Sequence, residues 1–195
     1  MGQLGGKLSD PEVFNLYVMN GVMNGLGGRL VNEVRSRLGL AYSVYASWSP
    51  QFDYPGVFIA GGQTRSQATV PFVRAINAEI AKMRTTPVTE AELAYAKDSI
   101  LNSFVFNFQD PGQTLSRVMR YAYFGYPKDF IFQYQKGIKA ATAADVQRVA
   151  QAHLKPDQFV TLVVGNNQAI QPPLTELQAR VTPIDISIPP PKPAV

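Results

Sequence analysis

The sequence has no cysteine and a single histidine, His153, among its 195 residues. Without thiols there are no disulfides, no thiolate zinc sites and no cysteine nucleophiles. A hydrolytic zinc centre draws on two or three imidazoles beside a carboxylate, and one histidine does not supply them. This chain alone is therefore not expected to build a catalytic zinc centre. Long apolar runs are also lacking, so no membrane span is expected. Residues 1–14 do not follow the basic-then-apolar layout of a secretion signal. A soluble setting, in the periplasm or cytoplasm of a bacterium, is the expectation, without a choice between the two. Charged residues are sparse, at 16%, with 18 Lys and Arg against 14 Asp and Glu. A net charge of +4 spread this thinly does not point to nucleic acid, whose binders cluster their cations on one face.

The composition that is present, 46% hydrophobic, is enough for one domain with a sizeable core. Residues 1–8 read as the end of a strand whose beginning is missing. Ser9, Asp10, Pro11 and Glu12 form a helix start, and Val13, Leu16, Tyr17 and Met23 recur at helical spacing, which predicts a helix over 11–24. Gly25, Gly27 and Gly28 interrupt it. Their spacing fits neither a dinucleotide fingerprint nor a P-loop, and a break between helices is the reading. A second helix over 29–38 ends at Gly39. Residues 40–50 and 57–62 read as the arms of an antiparallel hairpin around the Asp53–Gly56 turn.

Helices are predicted over 66–85, 90–106, 113–124, from Asp129 onward and over 143–154. Thr89 with Glu92, and Thr142 with Asp145, supply two capping-box starts. Residues 159–165, FVTLVVG, read as a dense apolar strand in the middle of a sheet. The tail differs in kind: seven of the 15 prolines lie beyond position 171. Ile184, Ile186 and Ile188 alternate there, which allows an edge strand over 182–188, with the rest extended or partly disordered. The fold class is α+β, a mostly antiparallel sheet with helices packed on one face. Residues 1–170 are expected to form a single domain and 171–195 a Pro-rich tail.

The stretch GLGGRLVNEVRSRLGLAYSVYASW, 25–48, closely resembles a signature segment of the pitrilysin family, which includes insulin-degrading enzymes and mitochondrial processing peptidases. The matching features are the Gly-rich break, Arg29-Leu30 opening a helix, Asn32-Glu33-Val34-Arg35 along it, and Gly39-Leu40-Ala41-Tyr42 entering a strand. Weaker likeness runs through 86–90, the Tyr123-Phe124-Gly125 region and the final VVG, so that it covers about 5–165. Family enzymes carry zinc on an N-terminal-type domain through an inverted H-x-x-E-H motif, which is absent here. The resemblance therefore implies a C-terminal-type, non-zinc-binding domain of the metallohydrolase fold.

By the same resemblance, Arg35 and Tyr42, seven residues apart, contact bound peptide near the scissile carbonyl. Zinc is expected on a homologous partner domain or subunit, and the exposed docking face predicts self-pairing into a homodimer. The pair is chemically suited to that role, because a guanidinium offers several fixed donors, and a phenol adds one, opposite a metal-activated water. Read alone, Arg35 is a surface residue paired with Glu33 or Asp10, and Tyr42 a strand aromatic packed on a neighbour. Arg29 and Arg37 read as a solvated face or structural ion pairs, and His153 as a structural histidine whose charged form the helix end favours. Phe104, Phe106, Phe108, Tyr121, Tyr123 and Phe124 read as core, with some lining a chamber. The functional expectation is a substrate-contacting half of a zinc peptidase, with a catalytically inactive structural or assembly subunit as the alternative.

Overall fold

The computed structural model describes residues 1–187. Three strands, β1 (Gly2–Leu4), β2 (Ala41–Ser49) and β3 (Val57–Thr64), form an antiparallel sheet in the order β1-β3-β2. The hairpin pairs Trp48 with Phe58 and Ala46 with Ala60, so period-2 alternation sends Val44, Ala46, Trp48, Phe58 and Ala60 to the same buried face. Helices α1 (Val13–Met23), α2 (Thr69–Thr85), α3 (Glu90–Phe104), α4 (Pro111–Tyr123), α5 (Phe130–Ala140) and α6 (Ala143–His153) complete the described fold.

Helix α1 is the centre. Leu16, Val18, Met19, Val22 and Met23 point in several directions and all are buried, the mark of a helix enclosed on all sides. Each such side chain contributes about 1.5–3 kcal/mol by leaving water. Gly21 lets α3 come close, since a Cβ there would meet Ile100 and Ala96 at 3.0 and 3.2 Å. Phe72, Ile76, Ile80 and Met83 bury one face of α2, as their spacing predicts. Both capping boxes form: Thr89 and Thr142 accept from the amides of Glu92 and Asp145, whose carboxylates accept in return.

Beyond β3, β2 presents an edge of unpaired backbone groups, and two asparagines of α1 and its C-cap occupy it. Asn24 accepts from the Ala46 amide at 2.8 Å and donates to the Ala46 carbonyl, while Asn20 accepts from the Trp48 amide at 3.0 Å. One turn of helix thus stands in for a fourth strand and fixes β2 against the core.

Three expectations are corrected, and the helix over 29–38 forms with an unexpected winding. Residues 159–165 do not make a central strand. Val160 bonds Gly2 in both directions at 2.9 Å, and beyond that single bridge the segment is irregular, with Val160, Leu162 and Val164 exposed. Residues 182–187 form no edge strand, and Ile184 and Ile186 stand in solvent; Ile188 and the Pro189-Pro190-Pro191 run lie outside the described residues. Phe106 and Tyr123 are exposed rather than core. The helix after the glycines is wound as a π-helix over Val31–Arg37, with the Leu38 amide reaching back five residues to the Glu33 carbonyl at 2.9 Å.

Candidate functional site

The π-helix and β2 meet at Gly39, whose φ of +60° is the left-handed value that favours glycine. Its amide caps the Arg35 carbonyl at 3.2 Å, and the Leu40 amide reaches the Val34 carbonyl at 3.0 Å. The chain then reverses into β2 through a bulge. Ala41 pairs with Thr64 and Ser43 with Gln63, leaving Tyr42 as the extra residue. A bulge re-aims the side chain it carries. Here it turns Tyr42 out of the pleat and under the Arg35 guanidinium, whose carbon lies 4.7 Å from the ring centroid.

Tyr42 is 83% exposed and Arg35 half-buried. The carboxylates that local spacing offers to Arg35 are taken. Glu33 binds Arg37, with Arg37 Nε donating at 2.6 Å, and Asp10 accepts from the Lys7 amide at 2.7 Å. Among the described residues Arg35 has no ion pair. Its held face is the one on the tyrosine, and its fork stays free to donate. The start of this unit is anchored by Arg29, which donates to both Glu92 oxygens at 2.6 and 3.0 Å and to the Pro87 carbonyl at 3.2 Å. The Arg29 guanidinium holds the Glu92 carboxyl well below its ordinary value, at about 2. Arg29 and Arg37 are thus structural ion pairs, and Arg35 is the different one.

His153 is occupied structurally. Its Nε2 lies 2.8 Å from Glu12 Oε2, and its ring stands edge-on to Trp48. Burial draws its pKa below the ordinary value. Among the described residues no group of three or more His, Cys, Asp and Glu side chains gathers in a metal-binding arrangement. The residues present do not fit zinc: the one imidazole serves Glu12, and no second nitrogen ligand accompanies it.

Clefts among the described residues lie elsewhere. One, about 690 Å3, opens between α4 and the loop after β2, and includes Phe52, Arg117, Arg120 and Tyr121. Another, about 540 Å3, lies between the free stretch of β3 at Gly61–Gln63 and the segment beyond Val160. Neither contains Arg35 or Tyr42, which stand on an open rim. Sequence reasoning misses Arg117 and Arg120, because nothing local marks them. It also misses the bulge, which shows itself in strand register and not in residue type.

The family described as the peptidase M16 inactive domain matches residues 1–100. The Bacillus subtilis protein named uncharacterized zinc protease YmxG is 26% identical over 118 residues, which are 60% of this chain and 29% of that protein. The Helicobacter pylori protein named non-peptidase homolog YmxG is 25% identical over 154 residues, 78% of this chain and 34% of that one. The chain therefore spans about a third of the length of the curated relatives it matches. In fold it is similar to the crystal structure of a peptidase M16 inactive domain from Pseudomonas fluorescens, with a TM-score of 0.73 at 23% identity over 80% of this chain and 38% of that one. No helix among the described residues is long and apolar enough to cross a membrane.

Proposed function

This chain belongs to the peptidase M16 inactive-domain family, and from that premise we propose that it is the non-catalytic, substrate-contacting half of a zinc-dependent peptidase. Residues 1–170 act as the binding unit, with 171–195 as an appended tail. An extended peptide lies along the rim at the start of β2. Arg35 donates to peptide carbonyls, and the Tyr42 hydroxyl adds a further donor. Zinc and its activated water belong to a homologous domain or subunit that closes over this face. The observation that carries the reading is the Arg35–Tyr42 pair itself: a guanidinium stacked at 4.7 Å on an exposed, bulge-borne tyrosine, with no carboxylate on it among the described residues.

A hydrogen bond from a charged donor contributes about 1.5–3 kcal/mol, so removing it costs about 10- to 150-fold in affinity. Fluorescence anisotropy with a labelled extended peptide tests this: Arg35→Ala is expected to weaken binding at least about tenfold while leaving the unfolding temperature in place. Binding unaltered by that change removes Arg35 from the site.

A second reading is favoured by one observation. The Helicobacter pylori relative is named a non-peptidase homolog. On that reading the chain is a catalytically inactive structural or assembly subunit of the same family, and its surfaces bind protein rather than substrate. The same titration separates the two, since a scaffold has no need of Arg35 for an extended peptide.

A further inference from the structure

The cleft of about 690 Å3 beside α4 has a composition that the peptide-contact rim does not explain. It lies past the far end of β2 from Tyr42, on the order of 25 Å away along a strand of this length. Its walls are aromatic. Phe52 stacks on Phe124 at 4.6 Å and meets Tyr121 at 6.1 Å, while Phe104 stacks on Tyr134 at 4.7 Å. Its charges have one sign: Arg117 and Arg120 line it, and no Asp or Glu is among the lining residues.

Neither guanidinium has a carboxylate partner among the described residues. Arg117 is half-buried, donates to Asn107 Oδ1 at 2.7 Å and Tyr121 Oη at 3.3 Å, and lies over the Phe108 ring at 5.6 Å. Those contacts orient it while leaving donors of its fork free. Arg120 lies over Phe52 at the mouth, 5.8 Å from the ring centroid. Burial pushes the Tyr134 phenol up to about 12, and that of Tyr17 further, so the tyrosines at the floor stay neutral. A half-buried cation without a counter-charge is costly unless something completes it.

We propose that this cleft binds a carboxylate with an apolar or aromatic body, the chemistry of a free peptide C-terminus ending in a large apolar residue. The carboxylate sits on the free donors of Arg117, with Arg120 at the entrance. The side chain lies between the Phe52 and Phe104 walls. The cleft is within the 300–1,000 Å3 range of small-ligand sites, and its aromatic walls are interleaved with polar groups from Asn107, Gln113 and the two arginines. Guanidinium matches a planar carboxylate with two parallel donors.

Ligand-observed NMR and calorimetry with three probes test the proposal on the whole chain: N-acetylphenylalanine, its primary amide and phenyl phosphate. N-acetylphenylalanine is expected to bind saturably, and the amide at least about tenfold more weakly, as loss of a charge-assisted pair requires. Arg117→Gln should cost at least about tenfold in N-acetylphenylalanine affinity. Should that variant fail to fold, Ser116→Trp, at an exposed lining position, fills the cleft: lost binding supports the proposal and retained binding overturns it. Equal binding of acid and amide, tighter binding of phenyl phosphate than of the acid, or Arg117→Gln indistinguishable from the parent chain would each overturn it. The measurement involves neither Arg35 nor Tyr42, so its failure is distinguishable from failure of the peptide-contact reading.

Discussion

Three arginines within nine positions, Arg29, Arg35 and Arg37, share one segment and do different things, and what separates them is who holds the fork. Glu92 holds one edge of Arg29 with both carboxylate oxygens, Glu33 holds Arg37, and Arg35 is left on the face of a tyrosine. The Arg29–Glu92 pair carries a testable pH dependence. Its Glu92 carboxyl is depressed to about 2 from an ordinary 4.5. A depressed carboxylate contributes stability that is complete above its unfolded value and is lost as pH falls through the folded one. With both groups partly in water the contribution is about 1–2 kcal/mol once screening is counted. Denaturant unfolding should therefore show Glu92→Gln less stable than the parent at about pH 6, with the gap closing toward about pH 2. A gap that stays constant across that range would mean the ion pair is not its source. Among single side chains, the sequence is informative where partners are near in the chain. The Thr89–Glu92 box and the Arg35–Tyr42 spacing are both local patterns. The meeting of Arg120 with Phe52 is not legible, because Phe52 follows β2 and Arg120 sits on α4, and it is decided by packing of elements far apart in sequence.

Helices are the most legible elements, since they announce themselves through a cap, as α3, α4 and α6 do, or through the period of a buried face, as α2 does without a side-chain cap. Thr89 and Thr142 cap as their sequence patterns predict, and Asp110 caps α4, whereas α1 starts after Glu12 with no side-chain cap from Ser9 or Asp10. Strand position is less so. Residues 159–165 have the apolar density of a buried strand, yet apolar density does not say whether a neighbour is present to pair with. β1 meets the segment at Gly2 alone, and the remaining groups find no ladder. The π winding of Val31–Arg37 and the bulge at Tyr42 are likewise invisible to residue type, because each is one residue of register. Both lie beside the candidate site, where such irregularities gather. The element that sets the rim in place is α1, through Asn24 on the β2 edge. Asn24→Ala strands the Ala46 amide and carbonyl, each partly buried, and should cost about 1–3 kcal/mol in equilibrium unfolding. No loss of stability would show that water replaces the asparagine freely.

Across the full fold, the sheet has a helical face and an open one. Leu4, Val57, Ile59 and Val160 leave the open face apolar and exposed, a surface suited to meeting another protein. The one-sided α+β layering is readable from the order of elements, because helices following a hairpin have one sheet face to cover. The open rim is not, since it follows from how the π-helix, Gly39 and the bulge combine. The role assigned to that rim stands or falls on steady-state hydrolysis of a peptide by this chain joined with a zinc-bearing H-x-x-E-H domain. The chain with zinc alone is expected to be inactive and the combination active, with Arg35→Ala lowering kcat/KM about 10- to 100-fold and unfolding unchanged. An active combination in which Arg35→Ala matches the parent chain would refute the substrate-contacting role.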